Sequence, residues 1–248
     1  MIRHFASRQF IVFLLTGGTA AAVNFASRIV FNQWMPFSAA VILAYLMGMV
    51  TAFVLAKMFV FRESSQSTGR SMLFFILVNV VAVAQKNATA GIEGNWNNKF
   101  RLEINDPQCG QKVLPVVFRV LWVDEKQHYT LQIHKRYDRE NVTGDVMNVS
   151  LATALTTYAH EFGHCVGMPD EYSYTEFEET VRYFKPDGTL DEPIVCHVNG
   201  TSPQDLTQSI MSYAEGARIL KRHGWNIAIE AQELLSKKIG RKIRCDIV

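Results

Sequence analysis

The sequence predicts an α-helical transmembrane part of two to three spans followed by an α+β domain. Two observations carry this reading: uninterrupted apolar runs confined to the first 85 positions, and strand-like alternation with one strong helix in the remainder. The boundaries are therefore set at 1–85 for the transmembrane region and 86–248 for the soluble domain.

Phe10 to Ser27 is a run of 18 residues without a charge, and Phe37 to Ala56 a run of 20. Each matches the roughly 17 to 25 residues needed to cross hydrocarbon. Arg28, Asn32, Gln33, Trp34 and Pro36 separate them as a polar, aromatic and helix-breaking turn. Met72 to Ala84 is a third apolar run of only 13 residues. It reads as a shortened span, and the small residues Ala82-Val83-Ala84 before Gln85 also fit a signal-peptide cleavage region. Arg3 and Arg8 precede the first run, and Lys57, Arg62 and Arg70 lie between the second and third, whereas the first loop offers only Arg28. Because cytoplasmic loops are enriched in Lys and Arg, a third crossing delivers the soluble domain to the outer side.

The stretches FLLTGGTAAAVNFASRIVF and AAVILAYLMGMVTAFVLAKMFVF, followed by a third apolar run, resemble the GtrA-like family of small bacterial membrane proteins. That resemblance implies a multi-pass protein of the bacterial inner membrane, with the lipid bilayer as partner and a part in moving or modifying lipid-linked sugars for cell-surface polysaccharide. The family's usual pattern has four spans, and the fourth is missing here. Asn24 and Arg28 are candidates for polar groups facing a bundle interior or its interface.

Beyond residue 85, Lys86 to Gly94 reads as a polar, Gly-containing linker. Lys99–Asn105 alternates Phe100, Leu102 and Ile104 with charged residues as a half-buried strand does, and Val116–Val123 and Tyr129–His134 are further strand candidates. Leu151 to Val166 is a helix with Ser150 as its N-cap and Gly167 as its terminator, and Asn226 to Lys237 is an amphipathic C-terminal helix. Asp145 to Ser150 hints at the edge strand that would receive a substrate. A formal net charge of +2, with no basic stripe, gives no case for nucleic acid. Cys109, Cys165, Cys196 and Cys245 contain no Cys-x-x-Cys pair; they form two disulfides in an exported domain or stay reduced in the cytoplasm.

The chemistry concentrates in HEFGHCVGMPDEY, His160 to Tyr172. Residues four apart on a helix lie about 40° apart around its axis, so His160 and His164 can bind one ion. Glu161 follows the first ligand, where a carboxylate stands beside a zinc-bound water as general base without being a ligand. Gly167 lets the chain turn back, bringing Asp170 to the metal as third ligand. Glu171 is the alternative. Cys165 points about 100° away from His164 and is read as buried or disulfide-bonded. His128, His134, His197 and His223 are surface or packing residues, and the acidic group Glu171, Glu176, Glu178 and Glu179 is a solvated loop or a structural calcium site.

Joined to SIMSY at Ser209 to Tyr213, the pattern His-Glu-x-x-His-x-x-Gly-x-x-Asp resembles the metzincin clan of zinc proteases. Most of that clan has His where this chain has Asp170. The resemblance implies a metzincin-like protease domain with Zn2+ as cofactor and a protein or peptide substrate. It also implies that Met211 sits in a turn beneath the ligands and that Tyr213 stabilises the oxyanion. The leading expectation is a membrane-tethered or exported zinc-dependent endopeptidase, with the catalytic domain outside the cytoplasm. The alternative is a GtrA-like protein of lipid-linked sugar translocation or polysaccharide synthesis with an appended domain. A non-catalytic zinc site is disfavoured, since it would have no use for Glu161.

Overall fold

The structure is a computed structural model that describes residues 8–60, 67–135, 137, 139–173, 177, 179–191, 193–196, 209–212 and 217–248. It divides into two compact units, Met1–Asn79 and Val80–Val248.

In the first unit, α1 (Arg8–Phe31) and α2 (Phe37–Leu55) form a helical hairpin, and α2 runs on into a π-helical turn, Ala56–Val60. The two helices meet through small residues: Ala20, Ala40 and Ala44 are buried, and a Cβ on Gly48 would lie 2.7 Å from the Asn24 Cβ. Small residues let membrane helices approach closely. Asn24 therefore faces the partner helix, while the Arg28 guanidinium lies 4.7 Å from the centre of the Phe37 ring at the turn. Large apolar side chains point outward, with Leu14, Phe25 and Ile42 each more than 60% exposed. The few hydroxyls turn back on their own helix: Thr19 donates to the Leu15 carbonyl and Thr51 to Met47, each at 2.8 Å. This is how a helix keeps its polar groups satisfied in hydrocarbon.

The third apolar run is part of a much longer element. Helix α3 spans Thr68–Trp96, 29 residues, and is one of three helices among the described residues long and apolar enough to cross a membrane. This corrects the linker expected at Lys86 to Gly94. Ala84, Ala88, Gly91, Ile92 and Trp96 are buried. Their spacing of four, three, one and four residues is one helical face, and the polar residues occupy the other. The polar composition suggested a linker, but small residues on one side suffice for packing. A Cβ on Gly91 would lie 2.5 Å from the Leu155 carbonyl oxygen, so a helix from the site region crosses α3 there. The Ala82-Val83-Ala84 pattern lies inside the helix, with Ala84 buried.

Among its described residues the second unit holds two three-stranded sheets and a hairpin. β1 (Arg101–Asp106) pairs antiparallel with β2 (Gly110–Pro115) and with the C-terminal β8 (Arg244–Ile247). β3 (Thr130–His134), β4 (Asn141–Thr143) and β5 (Val146–Ser150) form the second sheet in the order β3-β5-β4. β3 and β5 are parallel; β4 and β5 are antiparallel. The strand hinted at by Asp145 to Ser150 is therefore central, and the short β4 is the edge. Helix α4 (Leu155–Cys165) follows, then the hairpin β6 (Glu179–Val181) with β7 (Ile194–Cys196), and α5 (Trp225–Ile239) behind a 3-10 turn, Lys221–Gly224. Trp96, Phe100, Met147, Tyr158, Met211 and Trp225 lie at the centre of the core.

Two sequence expectations change. The helix predicted from Leu151 starts at Leu155 with Ala154 as N-cap. Ser150 instead ends β5, where its N–H is taken by the Thr153 hydroxyl at 2.8 Å. Val116–Val123 alternates half-buried and exposed up to residue 121, as a strand would, yet pairs with no strand among the described residues. Its backbone bonds to the end of α3 and the residues just beyond. The N–H of Val116 goes to the Phe100 carbonyl, that of Phe118 to Asn97 Oδ1 and that of Val120 to Glu93 Oε1. Alternation reports two-sided burial, and here the buried side faces a helix.

Candidate metal centre

Helix α4 carries His160, Glu161 and His164, all turned into the second unit. Its C-terminus closes in a Schellman arrangement: Gly167 N–H donates to the His164 carbonyl and Met168 N–H to the Gly163 carbonyl, each at 3.0 Å. Gly167 has φ +83°, the left-handed conformation such an ending requires. The returning chain is pinned where Glu171 N–H donates to the Met211 carbonyl at 2.9 Å. Asp170 is thereby brought back over the histidines.

His160 Nδ1 lies 2.7 Å from the Ile210 carbonyl oxygen and His164 Nδ1 lies 2.8 Å from that of Met168. A carbonyl can only accept, so each Nδ1 carries a proton, and Nε2 is the nitrogen left to offer a lone pair to a cation. Both Nε2 atoms converge on Asp170 Oδ1, at 3.2 and 3.3 Å. The three ligand atoms lie within 4.8 Å of one another. Three electron-pair donors gathered this closely need a proton or a cation between them, and backbone-oriented imidazoles are characteristic of metal ligands. Burial pushes the His164 pKa down, but the hydrogen bond and charge of Asp170 outweigh it and leave the ring more basic than usual.

Glu161 is 3% exposed, and its Oε2 is buried with no hydrogen-bond partner among the described residues. Burial raises its carboxyl above the usual range, against the pull of His160 and His164. A buried carboxylate that lines the same cleft as the three donors fits a site built to hold a cation and a water beside it. Two imidazole nitrogens and one carboxylate oxygen are a donor set that suits zinc with one position open. The residues present therefore fit Zn2+.

Glu171, the alternative ligand, is turned the other way. It is buried, bonded to both Arg222 Nε and Nη2, to the Tyr183 hydroxyl and to His223 Nε2. Burial alone would raise its pKa; Arg222 and His223 hold it down at about 2. This corrects its assignment to a solvated acidic loop. Of that group Glu179 is exposed on β6, and Glu176 and Glu178 lie outside the described residues. His223 is fully buried; its Nδ1 accepts from Leu220 N–H at 3.1 Å. His134 stacks on Tyr137 with ring centres 4.2 Å apart, and His197 lies outside the described residues.

Met211 is fully buried in the turn Ser209 to Ser212 below α4. A Cβ on Gly163 would meet its sulfur at 2.3 Å, so the turn and the ligand-bearing helix touch where no side chain intervenes. Tyr213 lies outside the described residues. No disulfide joins the four cysteines among the described residues; Cys165 is half-buried, burial raises its thiol pKa to about 12, and its sulfur is not among the three ligand atoms that converge.

Sequence reasoning missed the rest of the cleft. A cavity of about 890 Å³ opens over the three ligand residues and Glu161, with Asn141 and Val142 of β4 along one wall. Tyr172 stacks over His160 with ring centres 6.4 Å apart and accepts a hydrogen bond from Arg139. The adjacency of Tyr172 to the ligand run was visible in the sequence. Arg139 was not, being brought in by the loop before β4.

Residues 12–104 match the GtrA/DPMS transmembrane domain. The first part of the chain is thus similar to a family of membrane domains, and with three candidate spans the chain is a membrane protein. The match covers less than half of the 248 residues and runs past the third candidate span, which is α3, through Ile104, so that it takes in most of β1. No curated protein and no solved structure matches the chain.

Proposed function

We propose that the second unit is a zinc-dependent endopeptidase held at the membrane by the helices of the first. The observation that supports this best is the convergence of His160 Nε2, His164 Nε2 and Asp170 Oδ1 beside a Glu161 carboxylate oxygen that has no hydrogen-bond partner among the described residues. His160, His164 and Asp170 would hold Zn2+, which supplies Lewis acidity and lowers the pKa of a coordinated water to about 7. Glu161 takes the proton of the attacking water and returns it to the leaving amine nitrogen. The wall formed by β4 offers main-chain groups to an extended peptide, a geometry that favours a protein or peptide substrate. Tyr213 is kept as the accessory oxyanion donor on the strength of the metzincin resemblance. The positive residues of the second loop favour a catalytic unit outside the cytoplasm of a bacterial inner membrane.

The test is chelator-sensitive cleavage of a quenched peptide library by the full chain in detergent, compared with Glu161→Gln. The variant should bind zinc and lose turnover; equal turnover in both would remove Glu161 from the reaction.

A second reading is favoured by the family match, which speaks for the membrane part and not for a protease. On this reading the chain acts in lipid-linked sugar translocation or surface polysaccharide synthesis, and the second unit is an appendage. The two readings separate in cells lacking the chain. Restoration of surface polysaccharide by both the native chain and Glu161→Gln would support the transport reading.

A further inference from the structure

The extended segment after β2 is a strap laid along α3, and it runs toward the membrane. Successive hydrogen bonds join Val116 to Phe100, Phe118 to Asn97, Val120 to Glu93 and, through its indole Nε1, Trp122 to Thr89 Oγ1 at 3.1 Å. The partners retreat toward the N-terminus of α3 as the strap advances, so the strap descends the helix toward its apolar part. Val116, Phe118 and Val120 pack on the core. The tip does not. Leu121 is 78% exposed, Val123 54% and Trp122 43%.

The apolar run of α3, Met72 to Ala84, is too short for a bilayer. At 1.5 Å per residue its 13 residues cover about 20 Å of the roughly 30 Å hydrocarbon core. Centred on Val78, a core of that thickness would end about 10 residues later, near Ala88. Thr89, where Trp122 is bonded, therefore stands at the boundary between hydrocarbon and headgroups. That is where tryptophan is enriched, its ring in the apolar layer and its N–H satisfied. Lys86, one turn below, has a side chain long enough to carry its charge to the headgroups.

We propose that Leu121-Trp122-Val123 is a membrane-interface anchor that rests the second unit on the lipid surface. It supplies beside α3 the apolar area that the helix lacks beyond Ala84. The occupant of this patch is the bilayer that α3 enters, because the tip is fastened to that helix at the depth where the bilayer surface must lie. The inference rests on α3 spanning the membrane and is independent of zinc or catalysis.

The full chain carrying Cys109→Ser, with Leu121→Cys or Lys238→Cys as attachment point for an environment-sensitive fluorophore, tests this in lipid nanodiscs. Both positions are exposed, so neither label disturbs the core. The Cys109→Ser chain alone measures background labelling of the remaining thiols. Spin-labelled lipids should quench the label at 121 at least about twofold more than that at 238, with iodide in water showing the reverse order. Equal access of iodide to both labels, without lipid quenching, would put the tip in water and overturn the proposal. Protection of the label at 121 from both quenchers would overturn it in favour of a protein partner.

Discussion

The α1–α2 hairpin and the region around α4 both pack through a glycine, Gly48 in one and Gly163 in the other, yet they treat polar groups in opposite ways. In the hairpin, Thr19 and Thr51 spend their hydroxyls on their own helix while leucines and phenylalanines face outward. Around α4, His160 and Glu161 are buried, and His160 is held by a carbonyl 50 residues away. The hairpin is specified by composition, since any large apolar residue satisfies lipid. The site is specified position by position, since each polar group inside must have its own partner. Substitutions should therefore be harmless in one region and severe in the other.

The largest effect is expected at Glu161. Glu161→Gln should lower turnover by about 10²- to 10⁴-fold, the usual contribution of a general base, with zinc retained. Steady-state kinetics alongside metal analysis would show it. Next comes the neighbouring pair of carboxylates, which sharpens the contrast within the site. Glu171→Ala removes the buried carboxylate to which Arg222, His223 and Tyr183 bond and should cost about 3–5 kcal/mol of stability, read as a large drop in thermal midpoint. Asp170→Ala should leave the metal-free melting nearly unchanged and lower zinc affinity instead. Interchanged outcomes would reassign the third ligand to Glu171. Gly163→Ala pushes a methyl into the Met211 sulfur and should destabilise by about 1–3 kcal/mol, less if Met211 shifts. Smallest of all, Leu14→Ile on the outward face of α1 should change stability by about 0.5 kcal/mol or less in denaturant titration. A large loss there would mean that this face is packed against protein rather than lipid.

What could be read from the sequence follows the same division. Apolar runs disclosed α1 and α2 because hydrocarbon demands length and composition. The spacing of His160, His164, Gly167 and Asp170 was legible because helix and turn geometry are local. The choice between Asp170 and Glu171 was not local: it depends on Arg222 and His223, more than 50 residues on, which occupy Glu171. Continuation of α3 beyond Ala84 was hidden because its buried face uses Ala88 and Gly91, residues equally at home in a linker. The strap at Val116 to Val123 passed for a strand because its alternation is real and only the identity of its partner differs. β4, a three-residue edge strand, is too short to leave a periodic signal.

The central claim is that His160, His164 and Asp170 form a zinc centre in the second unit. It is tested most directly by the zinc content of the full chain, purified in detergent, exposed to Zn2+ and desalted, beside a His160→Ala/His164→Ala double variant. The account predicts about one equivalent in the native chain and less than about a tenth in the variant. Equal zinc in the two proteins, or none in either while the native chain is folded, would contradict it.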